Sequence, residues 1–336
     1  MLVTSITVYD TPIRLLSYAR IDPGEEKEIP DQSESHVSVT LDAVIVTVVD
    51  DEPSILVVNA GDIELLALPS GRLDPDSDLT LERAVRRWLS LQTGLDVTYV
   101  EQLYTFGDRS RSPVGAGERR LAVGYVALVP ADHPSAGSRW EQVYRLFPWE
   151  DHRSGPHSVF SDRVLPKLEA WAIGDAEKKA RAQITFGEGA PWDPMRSLER
   201  YELLYEAELV DEYFVDRNRP IPVSGLGLAM SGDHRRIAAT ALSRLRGKLT
   251  YRPVVFELLP EEFTLTELQR AVEALTGVDL HKQNFRRLVD KGELVEATGG
   301  HRSSTGGRPA ALYRFRSDVA SERPRPGFPL PNPRRP

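Results

Sequence analysis

The sequence predicts an α+β chain: a mixed sheet with helices packed on it, a helical insertion, and a small C-terminal unit of two helices and a hairpin. Three observations carry this reading. Strand-like runs at 37–49, 55–59, 97–106 and 120–129 surround one amphipathic helix between Thr80 and Gly94, a β-β-α-β-β order that suits a mixed sheet with a helix laid on it. Between about 155 and 230 the pattern changes to helical spacing. From 262 to 316 two short helices separated by a glycine-marked turn precede two strands around a glycine-rich tip. The expected divisions are 1–150, 151–231, 232–316 and a Pro/Arg-rich tail at 317–336 whose composition predicts disorder.

Each element follows from local chemistry. Leu2 to Tyr9 and Arg14 to Ile21 read as two short strands. Val37 to Val49 is rich in β-branched residues and stops at Asp50-Asp51-Glu52-Pro53, and Ile55 to Asn59 is its hairpin partner. Thr80 is an N-cap for a helix with Leu81, Ala84, Val85, Trp88, Leu89 and Leu91 at apolar positions, and Gly94 ends it. In the insertion, Asp162–Ala180 reads as one helix with Val164, Leu165, Leu168 and Trp171 on a face. Leu198–Tyr213 reads as another, with Leu204, Tyr205 and Leu209 available for the core or a dimer interface. Asp233 to Leu249 is a further helix, expected to bridge the two halves.

Composition excludes several classes. The 336 residues contain no cysteine, which removes disulfides, thiolate nucleophiles and cysteine-ligated zinc. No apolar run approaches a membrane span, and the start lacks a signal-peptide pattern, so a cytoplasmic protein without membrane contact is expected. Histidines are scattered without metal-ligand spacing, and there is no P-loop, G-x-G-x-x-G or G-x-S-x-G. The net charge of −8 hides an asymmetry, because His281 to Arg316 carries eight Lys/Arg against three Asp/Glu.

The stretch Leu68 to Leu95, LPSGRLDPDSDLTLERAVRRWLSLQTGL, resembles the Nudix box, G-x5-E-x7-R-E-U-x-E-E-x-G-U with U a bulky aliphatic. Arg87 falls on its arginine, Leu89 and Leu95 on its aliphatic positions and Gly94 on its second glycine. Gly71 sits two residues too far upstream. The four glutamate positions are Leu79, Trp88, Leu91 and Gln92. In that family the glutamates hold Mg²⁺ against a diphosphate, and a hard cation needs carboxylate oxygens. Asp74, Asp76 and Asp78 lie on a loop, not on one helical face, and substitute poorly. The resemblance therefore implies a Nudix fold that binds a nucleotide without cutting it: no enzyme, no resident metal, no required cofactor. The candidate ligand contacts are Arg87, which loses the carboxylates that would normally surround it, and Arg72, Arg109, Arg111 and Arg120, which add nearby positive charge for a diphosphate, with Tyr104 and Phe106 as stacking surfaces for a base. The segment 101–108 also resembles a stretch common in ADP-ribose-type Nudix proteins.

Helix, short turn, helix, hairpin is the order of a winged helix-turn-helix. Thr264 caps the first helix. On the second, Phe285 and Leu288 face the core and leave Lys282, Gln283, Asn284, Arg286 and Arg287 for DNA, residue types that read base edges or neutralise phosphate. His301, Arg302, Ser303 and Arg308 belong to a cationic wing. Thr264 completes the DNA set.

Leu259 to Gln269, Asn284-Phe285-Arg286-Arg287 and Gly307 to Phe315 resemble the C-terminal domain of Nudix-related transcriptional regulators, over roughly residues 36–150 and 232–316. The resemblance implies a dimeric repressor of NAD synthesis or salvage genes, bound to a palindromic operator in double-stranded DNA and responsive to NAD, ADP-ribose or ATP. The alternatives are an active hydrolase of the ADP-ribose pyrophosphatase class and a repressor with a sugar effector.

Overall fold

The computed structural model describes residues 37–59, 65–95, 97–107, 119–131, 137–155, 158–187, 192–222, 226–303 and 309–317. The strands expected within 2–30, and the tail beyond Ser317, lie outside them.

The sheet is built on β1 (Val37–Val49). On one side β1 runs parallel to β6 (Arg119–Leu128), in register from Val37↔Arg119 to Val46↔Leu128. On the other it pairs antiparallel with β4 (Ser70–Arg72) and then with β2 (Glu52–Asn59). β3 (Leu66–Ala67) and β7 (Ser138–Gln142) pair with β2, and β5 (Tyr99–Phe106) pairs with β6. Every residue from Leu41 to Thr47 is buried. A strand covered on both faces reads as a continuous β-branched run instead of an alternation, which is how this segment reads. Asp50 and Asp51, at φ 50 and 64, make the left-handed turn into β2 that Asp tolerates better than most residues.

The two faces of β1 take different partners. Leu41, Ala43 and Ile45 meet Ala84, Val85 and Leu89 of α1 (Leu81–Thr93). The α1 N-cap is Thr80, whose hydroxyl accepts from the Arg83 N–H at 3.2 Å, and Gly94 ends the helix at φ 67. Leu91, expected on the apolar face, is 69% exposed, because it lies two residues and about 200° round the helix from Leu89. Val44 and Val46 face the other way, against Ala238, Ala241, Leu242 and Leu245 of α7 (His234–Leu249). The helix expected to bridge two halves is therefore also one layer of the sandwich, so a division at 232 separates it from the sheet it covers.

The insertion is more broken than its spacing predicts. The helix expected over 162–180 is a π-helical turn at Phe160–Val164, α3 (Leu165–Trp171) and α4 (Ala176–Phe186). Gly174 at φ 77 breaks the run, and Asp175 starts α4 by accepting from the N–H groups of Glu177 and Lys178 at 3.1 and 3.0 Å. α5 (Ser197–Glu206) ends before Glu208, at φ 60, and α6 (Asp211–Val215) follows. Tyr201, Leu203, Leu204 and Leu209 are buried in this chain's own core. Between β7 and this region lies α2 (Val143–Leu146), followed by a 3-10 turn at Pro148–Glu150.

The C-terminal unit has the expected order: α8 (Leu265–Thr276), α9 (Lys282–Gly292), β8 (Val295–Arg302) and β9 (Ala310–Phe315). Thr264 and Glu267 form a reciprocal capping box at the start of α8, and Gly277 ends it at φ 71. Phe263 and Tyr313 exchange backbone hydrogen bonds at 2.9 and 2.8 Å, tying the entry of α8 to the hairpin. No helix among the described residues is long and apolar enough to cross a membrane.

A fully buried carboxylate joins these parts. Glu150 receives Arg200 Nε at 2.5 Å and Nη2 at 2.9 Å, the Ser197 hydroxyl at 3.1 Å, and Nη1 of Arg246. Arg246, on α7, also donates from Nε to the Leu275 carbonyl at 2.8 Å. Tyr144 Oη donates to the Ala274 carbonyl at 2.6 Å, and the His152 N–H to the Gly277 carbonyl at 2.7 Å. Carbonyls at the α8 C-terminus, unpaired within the helix, are thus satisfied by the sheet domain. The Arg246 cation also suits the negative end of the helix dipole. A Cβ at Gly277 would overlap the Glu150 carbonyl, so a side chain there forces the two units apart.

Burial pushes the Glu150 carboxyl up, but the guanidinium groups of Arg200 and Arg246 outweigh it and hold it at about 2. With the folded value below the ordinary carboxylate value of about 4.3, the contribution of this cluster is complete above that pH and is lost as pH falls toward 2. Denaturant unfolding at pH 7 and pH 3 should show this loss in the native chain. Glu150→Gln, which leaves two buried cations uncompensated, should cost about 3–5 kcal/mol at pH 7 and flatten the dependence between the two pH values.

Candidate nucleic-acid interface and effector cleft

α9 buries Phe285 and Val289, 2% and 1% exposed, while Leu288 is only half-buried. The four-residue repeat of that pair fixes the rotation of the helix and leaves Lys282, Gln283, Asn284, Arg286 and Arg287 exposed together. The surface combines two amide side chains with three cations. His301 and Ser303 are exposed at the end of β8, whereas Arg308 lies outside the described residues. Arg302 is exposed yet held: it forms an ion pair with Glu267 and donates to the Glu262 carbonyl at 3.0 Å. Thr264 departs from the DNA set. It is 8% exposed, and its hydroxyl accepts from the Glu267 N–H at 3.2 Å, because the cap places it under the start of α8.

The Nudix-box region is closed by its replacements. Trp88 lies on Gly71, where any Cβ would fall inside the indole, and its Nε1 donates to the Arg72 carbonyl at 2.9 Å. Gln92 donates from Nε2 to the Ser70 carbonyl at 2.6 Å and accepts the Ser70 N–H at 3.2 Å. Two of the four glutamate positions thus tie β4 to α1, and the other two, Leu79 and Leu91, are exposed hydrocarbons. Arg87 was expected to lack a carboxylate partner. Instead Asp78 takes its Nε and Nη2 at 3.0 and 2.8 Å, and that guanidinium holds the Asp78 carboxyl below the usual range. The lengthened loop supplies a carboxylate that the helix lacks, so Arg87 is committed to the protein. Among the described residues no cluster of three or more His, Asp or Glu side chains is able to hold a metal ion.

A second concavity lies on the α7 side of the sheet, about 520 Å³, bounded by β5, α5 and α7. A β-bulge between Gln102 and Thr105 breaks the alternation of β5. It puts Leu103 and Phe106 inward and leaves Tyr104 64% exposed at the cleft. Phe106 is corrected from a stacking surface to a floor: it is 4% exposed, edge-on to Tyr104 at 5.5 Å, with the Arg236 guanidinium over its ring at 5.8 Å. Arg236 donates to Glu202 at 2.7 and 3.0 Å. Thr240, Ser243 and the exposed Arg244 continue the wall.

Of the ligand residues expected from sequence, only Tyr104 and Phe106 line this cleft. Arg72 and Arg120 are exposed but do not line it, Arg87 is on α1, and Arg109 and Arg111 lie outside the described residues. Glu202, Arg236 and Arg244 went unnoticed because they belong to α5 and α7, distant in sequence from the Nudix box. Their helical spacing, with Arg236, Thr240 and Arg244 four apart, was the available signal.

A sandwich of this topology with a winged helix docked on it is similar to that of Nudix-fused transcription regulators. Residues 255–315 match the NrtR DNA-binding winged helix domain. The ADPR responsive transcriptional repressor NtrR of Acinetobacter baylyi is 25% identical over 280 residues, 82% of this chain and 81% of its own. The crystal structure of Shewanella oneidensis NrtR complexed with a 27mer DNA is similar at a TM-score of 0.53 and 25% identity, covering 84% of this chain and 95% of that one. A MutT/nudix family protein from Enterococcus faecalis, 18% identical with a TM-score of 0.50 over 86% of this chain and 90% of its own, shares the fold.

Gly71→Ala should displace the Trp88 indole and break its bond to β4, with a loss of about 1–3 kcal/mol in denaturant unfolding. An unchanged midpoint would mean that the indole does not brace this loop.

Proposed function

We propose that this chain is a DNA-binding repressor of genes for NAD synthesis or salvage, and that it responds to ADP-ribose through its Nudix-like half. The observation that carries the reading is the exposed row on α9, on a winged helix that matches the NrtR DNA-binding domain. The Acinetobacter relative named as an ADPR responsive repressor supports the choice of effector. ADP-ribose is what NAD becomes when nicotinamide leaves, so its level reports on NAD turnover. A sensor of it must not destroy it. The absence of carboxylates at Leu79, Trp88, Leu91 and Gln92 supports retention over hydrolysis, because Mg²⁺ has no hard ligands at those positions.

The chain works as a homodimer in the cytoplasm on a palindromic operator, since one recognition helix reads only a few base pairs and a two-fold axis supplies the second half-site. In this arrangement Asn284 and Arg287 contact base edges, while Lys282 and the wing residues His301 and Arg308 neutralise phosphate. Arg302 orients the wing through Glu267.

Operator selection followed by gel shifts with and without ADP-ribose tests the function. A change in operator affinity with ADP-ribose at micromolar concentration is expected, and identical titrations would overturn the effector. Asn284→Ala and Arg287→Ala should each cost about 1–3 kcal/mol on the operator and little on random DNA, whereas Lys282→Ala should weaken both and flatten the salt dependence. Light scattering on the free and operator-bound protein should return a dimer; a monomer in both would contradict the symmetric arrangement.

A further inference from the structure

Between α3 and α4 the helical insertion forms a hollow of about 460 Å³. We propose that this hollow binds a small zwitterion with an apolar body, an aliphatic or aromatic amino acid, whose carboxylate meets Lys179 and whose ammonium group meets Glu169.

The hollow arises from the way the insertion is broken. The π-helical turn at Phe160–Val164 leads into α3, and the break at Gly174 separates α3 from α4 instead of letting one helix run through. Such π-turns recur at functional sites in proteins. The volume falls within the range of roughly 300–1,000 Å³ usual for small-molecule sites. Leu168, Ala172 and Phe186 are buried and form the floor. Phe160 stacks on Phe186 with ring centroids 5.1 Å apart and planes 18° from parallel, which makes one wall flat and aromatic. Ile173 stands on the rim and is 81% exposed, hydrocarbon that an apolar occupant would cover.

The charges on the rim select the occupant. Glu169 and Lys179 both line the hollow and are exposed, and among the described residues neither side chain is in an ion pair. Their neighbours are committed elsewhere: Lys178 lies over the Trp171 ring at 4.7 Å, Arg181 pairs with Glu206, and Asp175 caps α4. A purely apolar occupant would take water from both charges and return nothing. An anion would meet Glu169, and a cation would meet Lys179. A ligand that carries both charges beside an apolar body satisfies the rim and the floor together. Gln183, one turn along α4 from Lys179, adds an amide that donates to a carboxylate.

The floor is one residue away from the cluster that seats the winged helix. Phe186 follows Thr185, whose carbonyl accepts Arg200 Nη1 at 3.2 Å, and Arg200 is one of the two arginines on Glu150. The hollow belongs to the insertion and not to the Nudix-like half, so this inference stands or falls independently of the ADP-ribose reading.

Calorimetry of the full chain with L-leucine and L-phenylalanine, each compared with its N-acetyl and its carboxamide derivative, tests the proposal. Binding of at least one of the two amino acids is expected, weakened at least about tenfold when either end is blocked. Glu169→Lys and Lys179→Glu should each weaken it by a similar factor. Both residues are exposed, so the core is kept, and a melting curve for each variant verifies that. The double variant Glu169→Lys/Lys179→Glu exchanges the two ends of the site and should recover affinity lost in the single variants. No heat from either amino acid, or equal affinity for the blocked derivatives, overturns the proposal. A dimer that Ile173→Asp converts to monomer also overturns it, because a second copy of this chain then covers the hollow.

Discussion

The arrangement of this chain depends on one buried carboxylate. Glu150 sits where the sheet domain, α5, α7 and the C-terminus of α8 converge, and Arg200 and Arg246 meet on it with no exposure to solvent. Desolvating three charges is expensive, and it is tolerated here because each group is almost fully hydrogen-bonded: to one another, to Ser197, and to carbonyls at Thr185, Asp193, Pro194 and Leu275. A hydrophobic plug would bury the same area and impose no geometry. The fan of guanidinium donors accepts only one relative position of α5, α7 and α8. A second buried pair, Arg235 with Glu212 at 3.1 Å, does the same where α6 meets the N-terminal end of α7. α7 thus carries an internal ion pair near each end and apolar packing between them.

That construction makes α7 the common element of the molecule. Its inner face covers the sheet, its cleft face carries Arg236, Thr240, Ser243 and Arg244, and Arg246 reaches the winged helix. A helix rigidly held at both ends moves as a unit, so the sheet it covers and the winged helix seated on it share one mechanical part.

The region from Ser70 to Gly94 is held together by direct contacts between loop and helix. The helix, its arginine and its glycine stop persist because they serve the fold. Trp88 and Gln92 turn toward β4, and the aspartate of the lengthened loop reaches back to the arginine. These direct contacts hold the loop down on the helix.

Much of this was legible in the sequence. Thr80 and Gly94, Thr264 and Gly277 marked helix ends correctly because capping is a local hydrogen-bonding problem that involves only a few neighbouring residues. The recognition surface was legible for the same reason: Phe285 anchors α9, and helical geometry alone sends Asn284, Arg286 and Arg287 outward. The sequence by itself determined the class of fold, the ends of its capped helices and the exposed polar face of α9. The tertiary structure decided what depends on contacts between distant segments. Arg200 and Arg246 look like surface charges until Glu150, 50 and 96 residues away, is brought to them. Asp78 looks like a stray loop acid until it closes on Arg87. A bulge that no alternation rule foresees turns Tyr104 out and Phe106 in. These are long-range pairings, and the free energy that selects them exists only once the chain has brought the partners within hydrogen-bonding distance and excluded water from between them.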